Sequence, residues 1–392
     1  MPHYPYLIVG GGMTGDAAVR GIRELDPNGA IGVVGAEAHP PYARPPLSKA
    51  LWKNAPFESV WRKTSELGVD LHLGRQVNRL DLREKRVIDD RGTDYSFDKL
   101  LLATGGTPRR LPFGGERVIH FRTLDDYRRL RALADHGKTF AVIGGGFIGS
   151  EIAAALALRG CKVTMLFPDD GIGARIFPAD LARFLVGYYN EKGVDVRHGE
   201  RVTGVTERDS QMVVETNSGL RVAVDAVVAG IGILPNTDLA ATAGLLVEDG
   251  IVVDEKLRTT HPRIYAAGDV ARFMSPALGG RIRVEHEDNA LTMGHAAGRA
   301  MAGDAQPYTH LPSFYSDLFD LGYEAVGDMD PHGEVLADWK EPFVEGVVYY
   351  LSGARVRGVL LWNTWGQVDA ARALIAQSGP FRTTDLIGRL RS

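Results

Sequence analysis

Two short stretches have the residue types and spacing to hold a dinucleotide. Gly10, Gly12 and Gly15 follow an apolar run at residues 6–9, and Gly144, Gly146 and Gly149 follow another at 140–143. In each G-x-G-x-x-G the first glycine permits a tight turn out of a strand and the second lets a pyrophosphate approach bare backbone. The third lets the following helix pack closely on the strand. The N–H groups and partial positive charge at the start of that helix attract phosphates. Met13 and Thr14 complete the first fingerprint, Phe147 and Ile148 the second. Glu37 lies about 20 residues beyond Gly15, where a ribose hydroxyl needs an acceptor.

The surrounding pattern supplies what must position these residues. Ala17, Ala18, Gly21, Ile22 and Leu25 share one face of a helix after the first fingerprint, and residues 30–34 read as a second strand. Prolines between 40 and 46 make a stiff loop carrying Arg44 and Lys49, which taken alone is a surface loop with two solvated cations. Residues 56–67 read as a helix, with Phe57, Val60, Trp61 and Leu67 available for an apolar face. Short strands and turns then occupy 69–95, and 100–108 is a buried strand ending in a glycine turn.

A second copy of this module follows. After the fingerprint come a helix through 153–158, a strand at 162–167, a meander over 194–225 and a glycine-ended strand at 227–235. That last strand aligns with 100–108 without a gap, so that Gly105 meets Gly232 and Pro108 meets Pro235. An internal repeat of this kind says more than either motif alone. Two dinucleotide units in one chain suggest a bound redox cofactor and a diffusing one.

The first module resumes with an apolar strand ending on Asp269 and a helix over 285–303 whose Ala290, Gly294, Ala297 and Met301 form a small-residue face. Beyond residue 308 aromatics become frequent, a hairpin is expected around Gly353, and a final helix over 369–377. The fold class is α/β: two Rossmann-like dinucleotide-binding domains plus a C-terminal α+β domain. The expected boundaries are 1–115 with 233–308 for the first, 116–232 for the second and 309–392 for the third.

The 392 residues carry ordinary apolar (44%) and charged (24%) fractions and a net charge of −4, which gives no reason to expect nucleic acid as a partner. No apolar run has the length of a membrane span, and no leader precedes the first strand, so a cytoplasmic protein is expected. The single cysteine, Cys161, enters an apolar strand and cannot form an internal disulfide, which excludes a dithiol mechanism. No metal site is expected.

The chain resembles the two-dinucleotide flavoprotein reductases, nearest to apoptosis-inducing factor and the bacterial ferredoxin and rubredoxin reductases. The matching stretches are Pro-Tyr-Ala-Arg-Pro-Pro-Leu-Ser-Lys at 41–49, Ala-Thr-Gly-Gly-Thr-Pro-Arg at 103–109 and Gly-Gly-Gly-Phe-Ile-Gly-Ser-Glu at 144–151. Others are Leu-Phe-Pro at 166–168, Ala-Gly-Asp at 267–269, Arg-Val-Glu-His at 283–286 and Ser-Asp-Leu at 316–318. Gly-Tyr-Glu-Ala-Val-Gly at 322–327 and Val-Leu-Leu-Trp-Asn at 359–363 complete the set. The resemblance implies FAD in the first module and NADH in the second, with NADPH less favoured because Asp169 and Asp170 follow the strand at 162–167.

By position it implies FAD contacts at Gly10, Gly12, Met13, Thr14, Gly15, Glu37, Arg44, Lys49, Val77, Thr104, Gly105, Arg122, Asp269, His286 and Tyr315. It implies NAD contacts at Gly144, Gly146, Phe147, Ile148, Gly149, Glu151, Asp169, Arg175, Gly232, Glu285, His286, Glu324 and Asn363, with Trp61 as a further candidate. Lys49, Glu151, Phe147 and His286 are the implied catalytic group. Ala36 stands where the family has its first acid after the second strand, leaving Glu37 for the ribose. Tyr315 stands where the apoptosis-inducing-factor branch has tryptophan.

The expected function is hydride transfer from NADH to flavin, followed by electron transfer to a separate acceptor: a quinone, a small oxidant or an iron–sulfur protein. The acidic net charge favours a general acceptor reductase over a dedicated ferredoxin or rubredoxin reductase, because docking an acidic ferredoxin needs a basic patch. A reading of another class is an NADH-sensing flavoprotein module with weak turnover. A cysteine-dependent peroxidase is excluded, since Leu47-Ser48-Lys49 occupies the region of that group's redox cysteine. A homodimer is left open, and no membrane span is expected.

Overall fold

The structure is a computed structural model that describes residues 1–134 and 137–391. The chain divides into two compact units. One comprises Met1–Arg44, Phe57–Thr107 and Leu234–Pro312; the other comprises Pro45–Pro56, Pro108–Ile233 and Ser313–Ser392.

The first unit is built on His3–Val9, a strand with Leu7 and Ile8 fully buried. It pairs in parallel with Ile31–Gly35 on one side and Asp94–Leu102 on the other, so Leu7 faces Gly32 and Leu100. Asp70–Leu73 extends the sheet beyond Ile31–Gly35. The long strand Asp94–Leu102 serves two partners. Its start pairs antiparallel with Arg86–Asp89, and its end pairs in parallel with Ile264–Ala266. The chain therefore returns after a long excursion to the strand that it left.

The helix Met13–Arg23 buries Ala17, Ala18, Val19 and Ile22. It packs against Glu287–Met301, the helix whose small-residue face the sequence had left without a partner. The approach is backbone to backbone: a Cβ on Gly298 would collide with the carbonyl of Ala18.

Residues 56–67 do not form a continuous helix. Two 3₁₀ turns, Phe57–Val60 and Thr64–Leu67, flank Trp61, which bridges antiparallel to Tyr42. Lys63 takes a left-handed conformation (φ 56°) at the N-cap of the second turn, so the two turns do not merge into one helix.

The second unit carries a five-stranded parallel sheet in the order Val194–His198, Lys162–Phe167, Thr139–Ile143, Ala226–Ala229, Val118–His120. Helix Phe147–Leu158 follows the central strand and buries Ile152, Ala153 and Leu156. The meander is three antiparallel strands, Val202–Arg208, Gln211–Thr216 and Arg221–Val224.

Five further antiparallel strands follow residue 312, in the order Ser313–Leu318, Leu321–Gly327, Arg355–Trp362, Glu345–Ser352, Glu334–Glu341. The expected hairpin turns at Gly353 and Ala354, both at positive φ (56° and 58°) as a type I′ turn requires. Helix Val368–Ile375 is not the last element, because a short helix Thr383–Leu386 comes after it. Among the described residues no helix is long and apolar enough to cross a membrane.

Candidate functional site

Each fingerprint forms a cradle whose glycines divide into two kinds. Gly10 turns the chain at φ 127°, and a Cβ there would meet the Ala103 carbonyl; one on Gly15 would meet the Gly10 carbonyl. Those two glycines serve the fold. Gly12 precedes the helix with ordinary extended backbone (φ −92°, ψ −168°), and a Cβ there would meet nothing within 4 Å. The fold leaves that space open at a helix N-terminus that has no capping side chain, which is the opening a pyrophosphate needs.

The second unit repeats the arrangement. Gly144 (φ 120°) lies against the Gly230 carbonyl, Gly149 lies against the Gly144 carbonyl, and Gly146 opens on free space. Both cradles fit a dinucleotide.

Around the first cradle, Met13 and Thr14 are buried in the opening turn of the helix. Glu37 accepts hydrogen bonds from the Tyr42 hydroxyl and the Arg44 guanidinium. The proline-rich loop thus folds its own cation onto the carboxylate expected to meet ribose. Thr104 donates to the Asn236 carbonyl at 2.8 Å, and Asn236 Nδ2 donates back to the Thr104 carbonyl at 2.9 Å, fixing the turn that carries Gly105.

Asp269 lies in the 3₁₀ turn Gly268–Val270 after the strand Ile264–Ala266, and Arg283 donates to its carbonyl at 3.1 Å. His286 is the N-cap residue of Glu287–Met301, beside Glu285, which pairs with Arg283 at 2.6 Å. Val77 begins a strand with a register shift. Trp61 packs edge-on against Tyr42 and Phe57.

In the second unit Lys49 and Glu151 meet. Lys49 Nζ lies 2.7 Å from Glu151 Oε1, with the two side chains only 12% and 3% exposed. A buried carboxylate without partners is costly, so its donors matter. Ser48 Oγ donates to Glu151 Oε2 at 2.5 Å, and Ser316 Oγ donates to Oε1 at 2.6 Å. Burial first, and then the charge of Glu151, holds the Tyr189 and Tyr323 phenols well above the ordinary tyrosine range.

The segment bearing Lys49 is wound, not extended. Trp52 Nε1 donates to the Leu47 carbonyl at 2.7 Å, and its ring stands edge-on to Tyr127 of the helix Leu124–Ala134. Lys49 also faces the ring of Tyr315, 5.3 Å from its centroid, and Tyr315 itself is exposed. Phe147 packs edge-on against Phe314, while Ile148 is exposed.

Of the remaining expected NAD contacts in this unit, Asp169, Arg175, Gly232 and Asn363 lie outside the strands and helices, and Glu324 lies within the strand Leu321–Gly327. Asp169 follows Lys162–Phe167 and pairs with the exposed Arg175 at 3.6 Å. A cavity of about 150 Å³ opens beside this strand end, lined by Gly144, Phe167, Pro168, Glu200, Arg201 and Ile231 among others. Gly232 (φ 90°) lies beside Arg109. Arg122, expected as an FAD contact, also falls in this unit, where its N–H donates to Asp126 at 3.1 Å. Glu324 accepts from the Gly366 N–H at 3.2 Å. Asn363 accepts from the Gly322 N–H at 2.7 Å and donates to the Val344 carbonyl at 2.8 Å. Glu324 and Asn363 therefore hold the turn at 363–366. Glu285 and His286 belong to the other unit.

Three residues escaped the sequence reading. Ser48 and Ser316 lay inside matched stretches without a role. Asp16, fully buried, receives Arg20 Nε at 3.0 Å, Arg62 Nε at 2.5 Å and Thr64 Oγ1 at 2.7 Å, tying the 3₁₀ segment to the fingerprint helix. An acid in a helix's first turn ordinarily signals a solvated N-terminal charge. Cys161 is buried, which pushes its thiol up, and its Sγ donates to the Ala134 carbonyl at 3.7 Å.

The family model for the pyridine nucleotide-disulphide oxidoreductases matches residues 4–294. The chain belongs to that family. It is 32% identical to apoptosis-inducing factor 1, mitochondrial, of Dictyostelium discoideum, across 95% of this chain and 78% of that one. It is 35% identical to the 3-phenylpropionate/cinnamic acid dioxygenase ferredoxin--NAD(+) reductase component of Photorhabdus laumondii, across 84% and 85%.

Among solved structures, putidaredoxin reductase in its covalent complex with putidaredoxin superposes with a TM-score of 0.91 at 31% identity, covering 98% of this chain and 95% of that one. The family's ferredoxin reductases use FAD and NAD(H). The chain is an oxidoreductase of this kind, moving electrons from NADH through FAD to a separate acceptor.

Proposed function

We propose that the chain reduces a ferredoxin-type protein with NADH, holding FAD in the first cradle and NADH in the second. The observation that carries the cofactor assignment is the pair of cradles, each with one glycine (Gly12, Gly146) that the fold does not need bare. Whole-length likeness to a reductase solved with its protein partner supports a protein acceptor. This outweighs the acidic net charge, since docking depends on a local patch and not on the total.

FAD when bound supplies the chemistry that converts hydride transfer into single-electron delivery. The protein's own part is electrostatic and steric. Lys49 keeps an ammonium in a mostly dry site where negative charge develops as electrons arrive, and its attraction is stronger there than in water. Glu151 fixes the direction of that ammonium. The Phe147 ring, in place of a small residue in the second fingerprint, offers a flat surface for the nicotinamide. Asp169 accepts from a ribose 2′-hydroxyl and repels a 2′-phosphate, which selects NADH. His286 places its backbone at the start of Glu287–Met301, whose positive end suits an electron-rich ring edge. The proposed site of action is the cytoplasm.

Acceptor turnover tests the proposal. Ferredoxin reduction with an association rate that falls steeply with salt supports it, since steering is screened beyond about 10 Å at 0.1 M. Salt-insensitive turnover of quinones or ferricyanide, with no ferredoxin reduction, would favour a general acceptor reductase.

A further inference from the structure

Glu151 is held from three directions by segments far apart in the sequence. Lys49 and Ser48 come from the loop after Pro45–Leu47, Glu151 from the helix Phe147–Leu158, and Ser316 from the strand Ser313–Leu318. Ser48 is 6% exposed and Ser316 fully buried, so neither hydroxyl has water as a ready alternative partner. A carboxylate offers about four acceptor sites. Lys49 and Ser316 occupy Oε1, and Ser48 occupies one site of Oε2.

We propose that Ser48 and Ser316 are positioning residues for electron transfer. Their hydroxyls fix the plane of the Glu151 carboxylate, and this aims the Lys49 ammonium. A carboxylate bound only to Lys49 could rotate about its terminal torsion, which is broad, and the ammonium would follow it. With Ser316 on Oε1 and Ser48 on Oε2, both oxygens are pinned. Lys49 then has one place to go, between Glu151 and the face of Tyr315. Neither serine touches the reacting atoms in this account; each acts through Glu151 on Lys49. The next residue of the strand, Asp317, pairs at the surface with Lys53 of the 3₁₀ turn Ala50–Lys53 at 3.0 Å.

The inference rests on the proposed role of Lys49, and its test separates the two. The variants are Ser316→Ala, Ser48→Ala and Ser316→Thr in the FAD-loaded protein. Two quantities are read: the limiting rate of flavin reduction by NADH, and the rate at which acetic anhydride labels the Lys49 amine, measured by mass spectrometry. Each alanine variant should reduce about tenfold more slowly, the scale of one lost hydrogen bond to a charge, with little change in the NADH concentration at half-saturation. Lys49 should label faster in both, and Ser316→Thr should restore both quantities. In a Lys49→Ala background, Ser316→Ala should slow reduction no further.

Unchanged Lys49 labelling in both alanine variants would overturn the inference, as would a full additional loss in the Lys49→Ala background. An alanine variant that loses FAD or its fold, with Ser316→Thr normal in both quantities, would assign the serines to stability and overturn it too. Failure of the wild type to be reduced by NADH would defeat the functional reading, while the labelling rates would still decide whether the serines hold Lys49.

Discussion

Replacing Lys49 by alanine is the most informative single perturbation. The ammonium lies 2.7 Å from a carboxylate that is 3% exposed, so its removal strands a buried charge. Losing one partner of such a pair costs about 3–5 kcal/mol. Here two hydroxyls remain on Glu151, and hydrogen bonds to a charged group contribute about 1.5–3 kcal/mol each, so the loss should fall near the lower end, about 3 kcal/mol. Adding Glu151→Gln removes the stranded charge, leaves an acceptor for one serine and offers an N–H to the other hydroxyl, and should return about 2 kcal/mol of that loss. Denaturant midpoints of the FAD-loaded proteins measure both steps. Flavin reduction should behave differently: about ten- to a thousandfold slower in Lys49→Ala and no faster in the double variant. An Ala variant as stable as wild type, or one reduced at the wild-type rate, would refute the reasoning.

The two kinds of glycine separate fold from ligand. Gly12→Ala should fold normally and lose FAD, and Gly146→Ala should keep FAD and need more NADH, because neither Cβ meets protein within 4 Å; Gly15→Ala should fail to fold, and FAD stoichiometry with circular dichroism distinguishes these outcomes. NADH should be preferred to NADPH, and Asp169→Ala should narrow the ratio of specificity constants about tenfold, the scale of one charge repulsion near the surface; equal constants in wild type would show that Asp169 does not reach the ribose. Stability should fall as pH rises above about 10. The Tyr189 and Tyr323 phenols are raised by burial in the fold, so the unfolded chain loses these protons first, and stability present below that pH drains away above it. Urea midpoints that stay flat into that range would contradict this.

The fingerprints were legible because ligand and fold both demand bare backbone at fixed spacing, and few other residues satisfy either. The repeat was legible for the same reason, through Gly105 with Gly232. Lys49 and Glu151 stood out only through family resemblance; nothing in their spacing brings a loop lysine to a helix carboxylate 102 positions away. Ser48, Ser316 and Asp16 were invisible because a buried hydroxyl or carboxylate has no periodic signature: what marks it is a partner supplied by tertiary structure. Residues 56–67 misled through their apolar spacing. The Tyr42 bridge, the Asp16 clasp on Arg62 and Thr64, and the left-handed Lys63 set the local path instead.

The central claim is that this chain takes hydride from NADH onto a bound flavin. The direct measurement is anaerobic stopped-flow mixing of the FAD-loaded protein with NADH, followed by flavin absorbance. NADH should bleach the flavin rapidly and saturably, NADPH should bleach it much more weakly, and the oxidised spectrum should return when an oxidised ferredoxin is added. A flavin that stays oxidised under excess NADH, in protein shown to carry FAD, would contradict it.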